Sequence, residues 1–207
     1  ARHTSIIEDI RIWTDAAGAK PATQLRDMLE SLGAKGKRLG IENQSYGLTH
    51  ANGKQLDAAL EGFCKLQDAS DLVNMIRVVK SPAELKYVRK AGELGDAALK
   101  AAVRKTKAGA DEGEILAAQQ GAIFAGGGDY PANEFIIGSG RDALLCRYKA
   151  GRRALSKRDQ LTLEWAGVYR HYHAAFMRTL IIGKPTKHHL AMDGAAQEAL
   201  AAVEEQL

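Results

Sequence analysis

The sequence predicts an α/β fold in two parts, and three observations carry that prediction. Helix-period and strand-period apolar patterns alternate through residues 4–75. A capped, alanine-rich helical stretch then runs from 83 to 107. Residues 161–183, LTLEWAGVYRHYHAAFMRTLIIG, read as two strands rich in aromatic and β-branched side chains. A chain of 207 residues is long enough for one or two cores.

In chain order, Leu25, Met28, Leu29 and Leu32 stand at helical spacing in 23–32, with Pro21 near the start and Gly33 and Gly36 at the end. Residues 38–42 form a short buried-strand candidate. The next helix, 50–63, has Leu56, Leu60 and Phe63 as its apolar face, and 65–69 is a second short strand. The glycines near 33 make no phosphate loop, because no Gly-x-Gly-x-x-Gly or terminal Lys-Ser/Thr accompanies them. Residues 76–82 mark a boundary. Ser81 is a good N-cap, Pro82 suits a first helical turn, and Glu84 stands at the capping-box offset. Leu85, Val88, Leu94, Ala98, Leu99 and Val103 supply the buried stripe of 83–107, which Gly109 ends. Asp111, Glu112 and Glu114 open a second helix running to Phe124, their charges favouring its N-terminus. Gly126-Gly127-Gly128 follows that helix instead of preceding one, so it reads as a turn and not a phosphate cradle.

Residues 135–140 read as a strand entering a turn, and the basic run 151–159 as a solvated loop. In the last third, Leu161, Leu163 and Trp165 alternate with Thr162 and Glu164, and Gly167 ends that strand. The second strand, 168–182, is closed by Gly183-Lys184-Pro185. His188 and His189 precede a helix over 190–207. As adjacent residues they point in different directions, which favours a surface feature over a metal site.

A net charge of +4, with acids spread among the bases, gives no basic stripe with interleaved aromatics and so no nucleic-acid footprint. Cys64 and Cys146 have neither metal-ligand spacing nor a disulfide framework, which predicts a reducing, cytoplasmic setting. No apolar run is long enough to span a bilayer and no signal-peptide pattern opens the chain. The start without Met and the end inside a helical pattern predict a trimmed or processed chain.

The chemistry concentrates in 161–183. Glu164, Arg170, His171, His173 and Arg178 place a carboxylate, two imidazoles and two guanidiniums within a hydrophobic frame, where burial without partners is costly. Glu164, inside LTLEW, points to a functional or paired carboxylate. Arg170 and His171 read equally well as functional groups or as a solvated face. Cys146 is a buried structural thiol or, with a partner, a nucleophile, and no His/Asp partner is evident beside it.

Four segments in order resemble the creatinase and Xaa-Pro peptidase family, the pita-bread fold. Val78–Leu85 with Arg89-Lys90-Ala91 resembles the R-x-x-K-s-p-x-E-i…A opening of its catalytic domain. Gly109–Ile115 resembles G-x-(T/S)-E-x-E-(I/L). Phe135–Tyr148 resembles its strand and SG-x-N-a-x-x-x-H turn. Glu164–Gly183 resembles D-x-G-x-x-x-x-G-Y-x-x-D-x-T-R-T-x-x-x-G, with Tyr172, Arg178, Thr179 and Gly183 matching. The resemblance implies a small creatinase-like N-terminal α/β domain over 1–75 and the first half of a pita-bread catalytic domain, truncated, over 76–207.

It also implies a usually dimeric hydrolase of C–N bonds. In peptidase members two metal ions activate a water, with two hairpin aspartates among their ligands. Here those positions hold Glu164 and Ala175, and the family's His after the turn falls on Arg147. Alanine binds no metal, and arginine stays protonated and shuttles no proton at neutral pH. These departures place the chain nearest the metal-free branch, whose activities resemble creatine or ectoine hydrolysis. Glu164, His173 and His171 are then the candidate acid–base residues. Arg147, Arg141, Tyr172 and Cys146 are candidates for holding a small carboxylate-bearing substrate, and Arg178 for holding the hairpin. The expectation is no metal and no other cofactor, a small-molecule substrate, a homodimer, and no nucleic acid or membrane partner. The alternatives are an Xaa-Pro dipeptidase or aminopeptidase dependent on a divalent metal such as Mn, Co or Zn, and a non-catalytic binding protein on the same scaffold.

Overall fold

The computed structural model describes residues 3, 5–12, 16–144 and 153–207, and the chain divides after Val79 into two units, Ala1–Val79 and Lys80–Leu207. The first unit contains α1 (Pro21–Ser31), β1 (Arg38–Ile41), α2 (His50–Leu60), β2 (Lys65–Asp68) and α3 (Leu72–Val78). β1 and β2 pair in parallel, Leu39 beside Leu66. Leu60 is buried, as the helical spacing predicts; Phe63 is buried too but lies in the turn after α2, whereas α1 buries no residue and Leu32 of its expected apolar face stays 57% exposed. The helix α3 falls where the sequence shows only the start of a boundary.

The second unit is built on α4 (Pro82–Lys105). Its N-terminus carries the expected capping box: Ser81 Oγ accepts from the Glu84 amide at 3.3 Å, and Glu84 Oε2 accepts from the Ser81 amide at 2.7 Å. Next comes α5 (Glu112–Ala125), where Asp111 Oδ1 accepts from the amides of Gly113 and Glu114. β3 (Ile136–Ser139) leads into a 3-10 turn, Gly140–Leu144. The long strands β4 (Asp159–Tyr169) and β5 (Tyr172–Ile182) follow, then α6 (Lys187–Glu204). The sheet is antiparallel in the order β3-β4-β5. Its core joins Leu94, Ala98 and Ala102 of α4, Ile115 and Ile123 of α5, and Ile137, Leu161, Leu163 and Trp165 of the strands. The α/β class thus holds. No helix among the described residues is long and apolar enough to cross a membrane.

The structure corrects four local expectations. The buried face of α4 is made of small residues, Ala91, Gly95, Ala98, Ala101 and Ala102 around Leu94, while Leu85 and Val103 lie outside it. Close approach of the sheet selects small side chains there. Gly167 does not end a strand: β4 runs through it to Tyr169. A Cβ at 167 would overlap the Ala91 carbonyl oxygen and lie 2.5 Å from the Gly95 amide nitrogen, so the glycine serves helix contact instead of a turn. The basic run is not wholly solvated. Arg153 donates to Ser139 Oγ, to Asp159 Oδ2 at 2.6 Å and to Ser156 Oγ at 2.9 Å, and the Asp159 side chain is only 3% exposed. Lastly, α6 begins at Lys187, so His189 sits inside the helix as the second member of a capping box with Thr186.

On α5 the fully buried Gln119 has no hydrogen-bond partner for either amide atom among the described residues. Leaving such a group unsatisfied costs about 1–3 kcal/mol. Gln119→Met, of similar volume, is therefore expected to raise the unfolding free energy by about 1 kcal/mol, measured by urea titration. Unchanged or lowered stability would show that the amide is satisfied.

Candidate functional site

The two faces of the hairpin do different things because side chains alternate along a strand. On the side turned to α4, Leu161, Leu163 and Trp165 are buried. Trp165 Nε1 donates to the Gly95 carbonyl at 3.0 Å, and its ring stacks on Phe176 with centroids 5.2 Å apart. The opposite side carries Thr162, Glu164 and Ala166 of β4. In register, Glu164 faces Met177 of β5 and Ile136 of β3, while Ala166 faces Ala175. Ala175 thus stands one diagonal step from Glu164 on the same face.

This register tests whether the residues suit a metal pair. The two positions that the hairpin pattern assigns to ligands do share one face, as a bridged centre needs. Only one of them has a donor atom. Hard divalent cations are held by several oxygen ligands, and one carboxylate is a poor platform for two ions. No group of three or more His, Cys, Asp or Glu able to hold a metal occurs among the described residues. The described residues by themselves do not fit a dinuclear centre.

The structure does not bring the imidazoles to Glu164. His173 faces Val168 in register, four residues along β4 from Glu164, which is about 13 Å at roughly 3.3 Å per residue. Both of its ring nitrogens are engaged with backbone. Nε2 accepts from the Ala132 amide at 3.0 Å, so the proton lies on Nδ1, which donates to the His171 carbonyl at 2.9 Å. The ring ties the hairpin tip to the loop before β3. His171 itself is in the turn, and its amide donates to Asp129 Oδ2 at 3.1 Å. Together with Phe124, Tyr130 and Pro131 the two histidines line an open depression of about 610 Å³.

That turn is unusual in composition. Arg170 and His171 both have positive φ, 51° and 66°, in a two-residue loop whose favoured residues are Asn-Gly. The left-handed conformation costs a residue with a Cβ about 1–2 kcal/mol, partly offset in glycine by its greater unfolded freedom. His171→Gly is accordingly expected to stabilise the protein by about 0.5–1 kcal/mol in a urea titration. A loss of stability would mean that the imidazole makes compensating contacts.

Tyr172 lies on the helix-facing side, away from Glu164. Its hydroxyl donates to Glu84 Oε1 at 2.9 Å and its ring packs 5.6 Å from that of Tyr87. The Ser81 amide, the Ser81 hydroxyl and the Tyr172 hydroxyl together hold the Glu84 carboxyl down at about 2, from an ordinary 4.5. Burial pushes the Asp159 carboxyl up, but the Ser156 amide and the Arg153 guanidinium outweigh it and leave it below its usual range. Both groups have depressed folded values. Their stabilising contribution is therefore complete above the unfolded value and disappears as pH falls through the folded one. The melting temperature should fall as pH drops from 4.5 toward 2. Tyr172→Phe, which lets the Glu84 value rise, should make that fall shallower, and an identical pH profile for the variant would refute the coupling.

Arg178 is exposed and donates to the Met177 carbonyl at 2.7 Å, a backbone contact within the hairpin. Arg141 is exposed on the 3-10 turn that follows β3. Cys146 and Arg147 lie outside the described residues. Sequence reasoning missed Met177, directly across from Glu164, and Arg153. The first needed the strand register; the second hides in a charge run.

A family model for the creatinase/prolidase N-terminal domain matches residues 1–79, and the model for metallopeptidase family M24 matches residues 86–207. An Xaa-Pro dipeptidase of Pyrococcus horikoshii is 30% identical over 152 residues, covering 73% of this chain and 42% of that protein. An ectoine hydrolase of Halomonas elongata is 27% identical over 147 residues, 66% of this chain and 36% of that protein. The chain thus spans less than half the length of either relative. Among solved structures, a prolidase from Thermococcus sibiricus aligns with a TM-score of 0.75 at 19% identity, over 92% of this chain and 51% of that one. At that identity the likeness speaks to the fold, which is that of the pita-bread enzymes. With the domain order and both domain models in agreement, the chain belongs to metallopeptidase family M24.

Proposed function

We propose that the protein hydrolyses a C–N bond in a small amino-acid-like solute, as creatinase and ectoine hydrolase do, without a bridged metal pair. The observation that carries this reading is Ala175, which occupies a ligand position on the face of Glu164 and offers no donor atom. Glu164 is the proton-handling group, being the one carboxylate on that face of the strands among the described residues. Arg141 and Arg147 are the candidates for gripping a substrate carboxylate, each guanidinium suited to two parallel hydrogen bonds. His173 serves as a tie at the hairpin tip. The working form is a homodimer. Metal analysis and turnover of the full-length protein test the reading together. Turnover of ectoine or creatine that persists in chelator is expected, and bound Mn, Co or Zn in stoichiometric amount and required for turnover would overturn it.

The 30% identity to an Xaa-Pro dipeptidase favours a second reading, a metal-dependent dipeptidase. That reading predicts release of proline from X-Pro dipeptides in metal-replete buffer, abolished by chelator.

A further inference from the structure

We propose that Met177, with Ala175, determines substrate specificity by forming an apolar wall beside Glu164 that receives an alkyl group carried on the carbon of the scissile C–N bond. The proposal rests on the hydrolase reading above and adds the shape of the substrate. The hairpin pattern that this chain resembles has Thr and Asp at these two positions. Here a thioether and a methyl replace a hydroxyl and a carboxylate, so both changes run from polar to apolar on one face. The register puts Met177 directly opposite Glu164. Side chains paired in this way have Cβ atoms about 4.5–5.5 Å apart, and diagonal neighbours remain within reach of one another. Ile136 flanks Glu164 on the other side and is 7% exposed, whereas Met177 is 52% exposed on the open face. In register, Ile136, Ala166, Ala175 and Met177 border Glu164 on three sides of that face, and the Thr162–Thr179 pair borders it on the fourth.

Such a surface suits a solute whose polar reacting group is bordered by alkyl carbon. It suits poorly one whose reacting group bears only further hydrogen-bonding atoms. The unbranched methionine adapts its shape to a ring or a methyl, and the Arg178 guanidinium on the Met177 carbonyl holds the backbone that carries it. One methyl in an apolar subsite is worth about 10–200-fold in discrimination.

The test uses the full-length protein and two cyclic amidine carboxylic acids, one with a methyl on the amidine carbon (ectoine) and its analogue without the methyl. Binding by calorimetry and kcat/KM are measured for each. Wild type is expected to prefer the methylated compound by about tenfold or more. Met177→Thr should collapse that preference to near unity, while Met177→Leu, which keeps an apolar side chain, should retain most of it. Circular dichroism melts check that both variants fold. Turnover or binding with a ratio unchanged in Met177→Thr, or no preference in wild type, overturns the subsite and leaves the hydrolase reading standing. Neither amidine bound nor turned over by a wild type that turns over creatine overturns the subsite alone, and a wild type inactive on all three overturns both.

Discussion

Gly167→Ala is expected to lower the unfolding free energy by about 3 kcal/mol or more, read as a drop in the urea midpoint at unchanged slope. The added Cβ would overlap the Ala91 carbonyl oxygen and crowd the Gly95 amide nitrogen, both backbone atoms of α4. No side chain can rotate away to relieve this. Relief requires α4 to lift from β4, and that lift separates Trp165 Nε1 from the Gly95 carbonyl and loosens the Trp165–Phe176 stack. Overpacking of a core ordinarily costs about 1–3 kcal/mol, and a clash of backbone with backbone belongs at the upper end. Gly121→Ala in α5 is the control. An added Cβ there meets nothing within 4 Å, and alanine has the higher helix propensity, so stability should hold or rise by up to about 1 kcal/mol. Equal effects of the two substitutions would show that general glycine chemistry, and not the α4–β4 contact, sets the cost.

The same glycine shows how far the sequence could be read. What depends on a few neighbouring residues was readable. The capping box at Ser81 and Glu84 holds, and so does the start of the second helix at the acids Glu112 and Glu114. That 161–183 folds as a hairpin of two strands also holds, although its turn lies at Arg170-His171 and not at Gly167. What depends on a partner distant in the chain was not. Gly167 looks like a strand break until α4 is laid across it. Arg170-His171 has none of the residues that mark a two-residue hairpin loop, yet the chain reverses there, because the pairing of eleven residues on either side outweighs a local cost of a few kcal/mol. Arg153 looks like one cation in a basic loop, and only the fold brings Ser139 and Asp159 to it. At the candidate site, Glu164 and Ala175 could be aligned on a hairpin pattern. The separation of Glu164 from His173 and the position of Met177 needed the register.

Ala175→Asp is expected to convert the Glu164 face into a divalent-cation site. The register already supplies the geometry. Positions 164 and 175 are diagonal neighbours on one face, so a second carboxylate there converges on the first. Two carboxylates so close repel in the absence of a cation, and one of them is pushed to a higher pKa, so the variant in chelator should be less stable than wild type at neutral pH. A bound divalent ion removes that repulsion and stabilises the folded state by mass action, by about 1.4 kcal/mol at a free concentration ten times its dissociation constant. The measurement is a thermal melt in millimolar Mn against a monovalent salt of equal ionic strength. Wild type should show no difference between the two, and Ala175→Asp should show a rise in midpoint with Mn alone. A wild type that responds equally would mean that other donors already hold a metal, and the metal-dependent dipeptidase reading would then take precedence. A variant that stays silent would mean that the two positions do not converge, and the alignment of this hairpin on the two-aspartate pattern would fail with it.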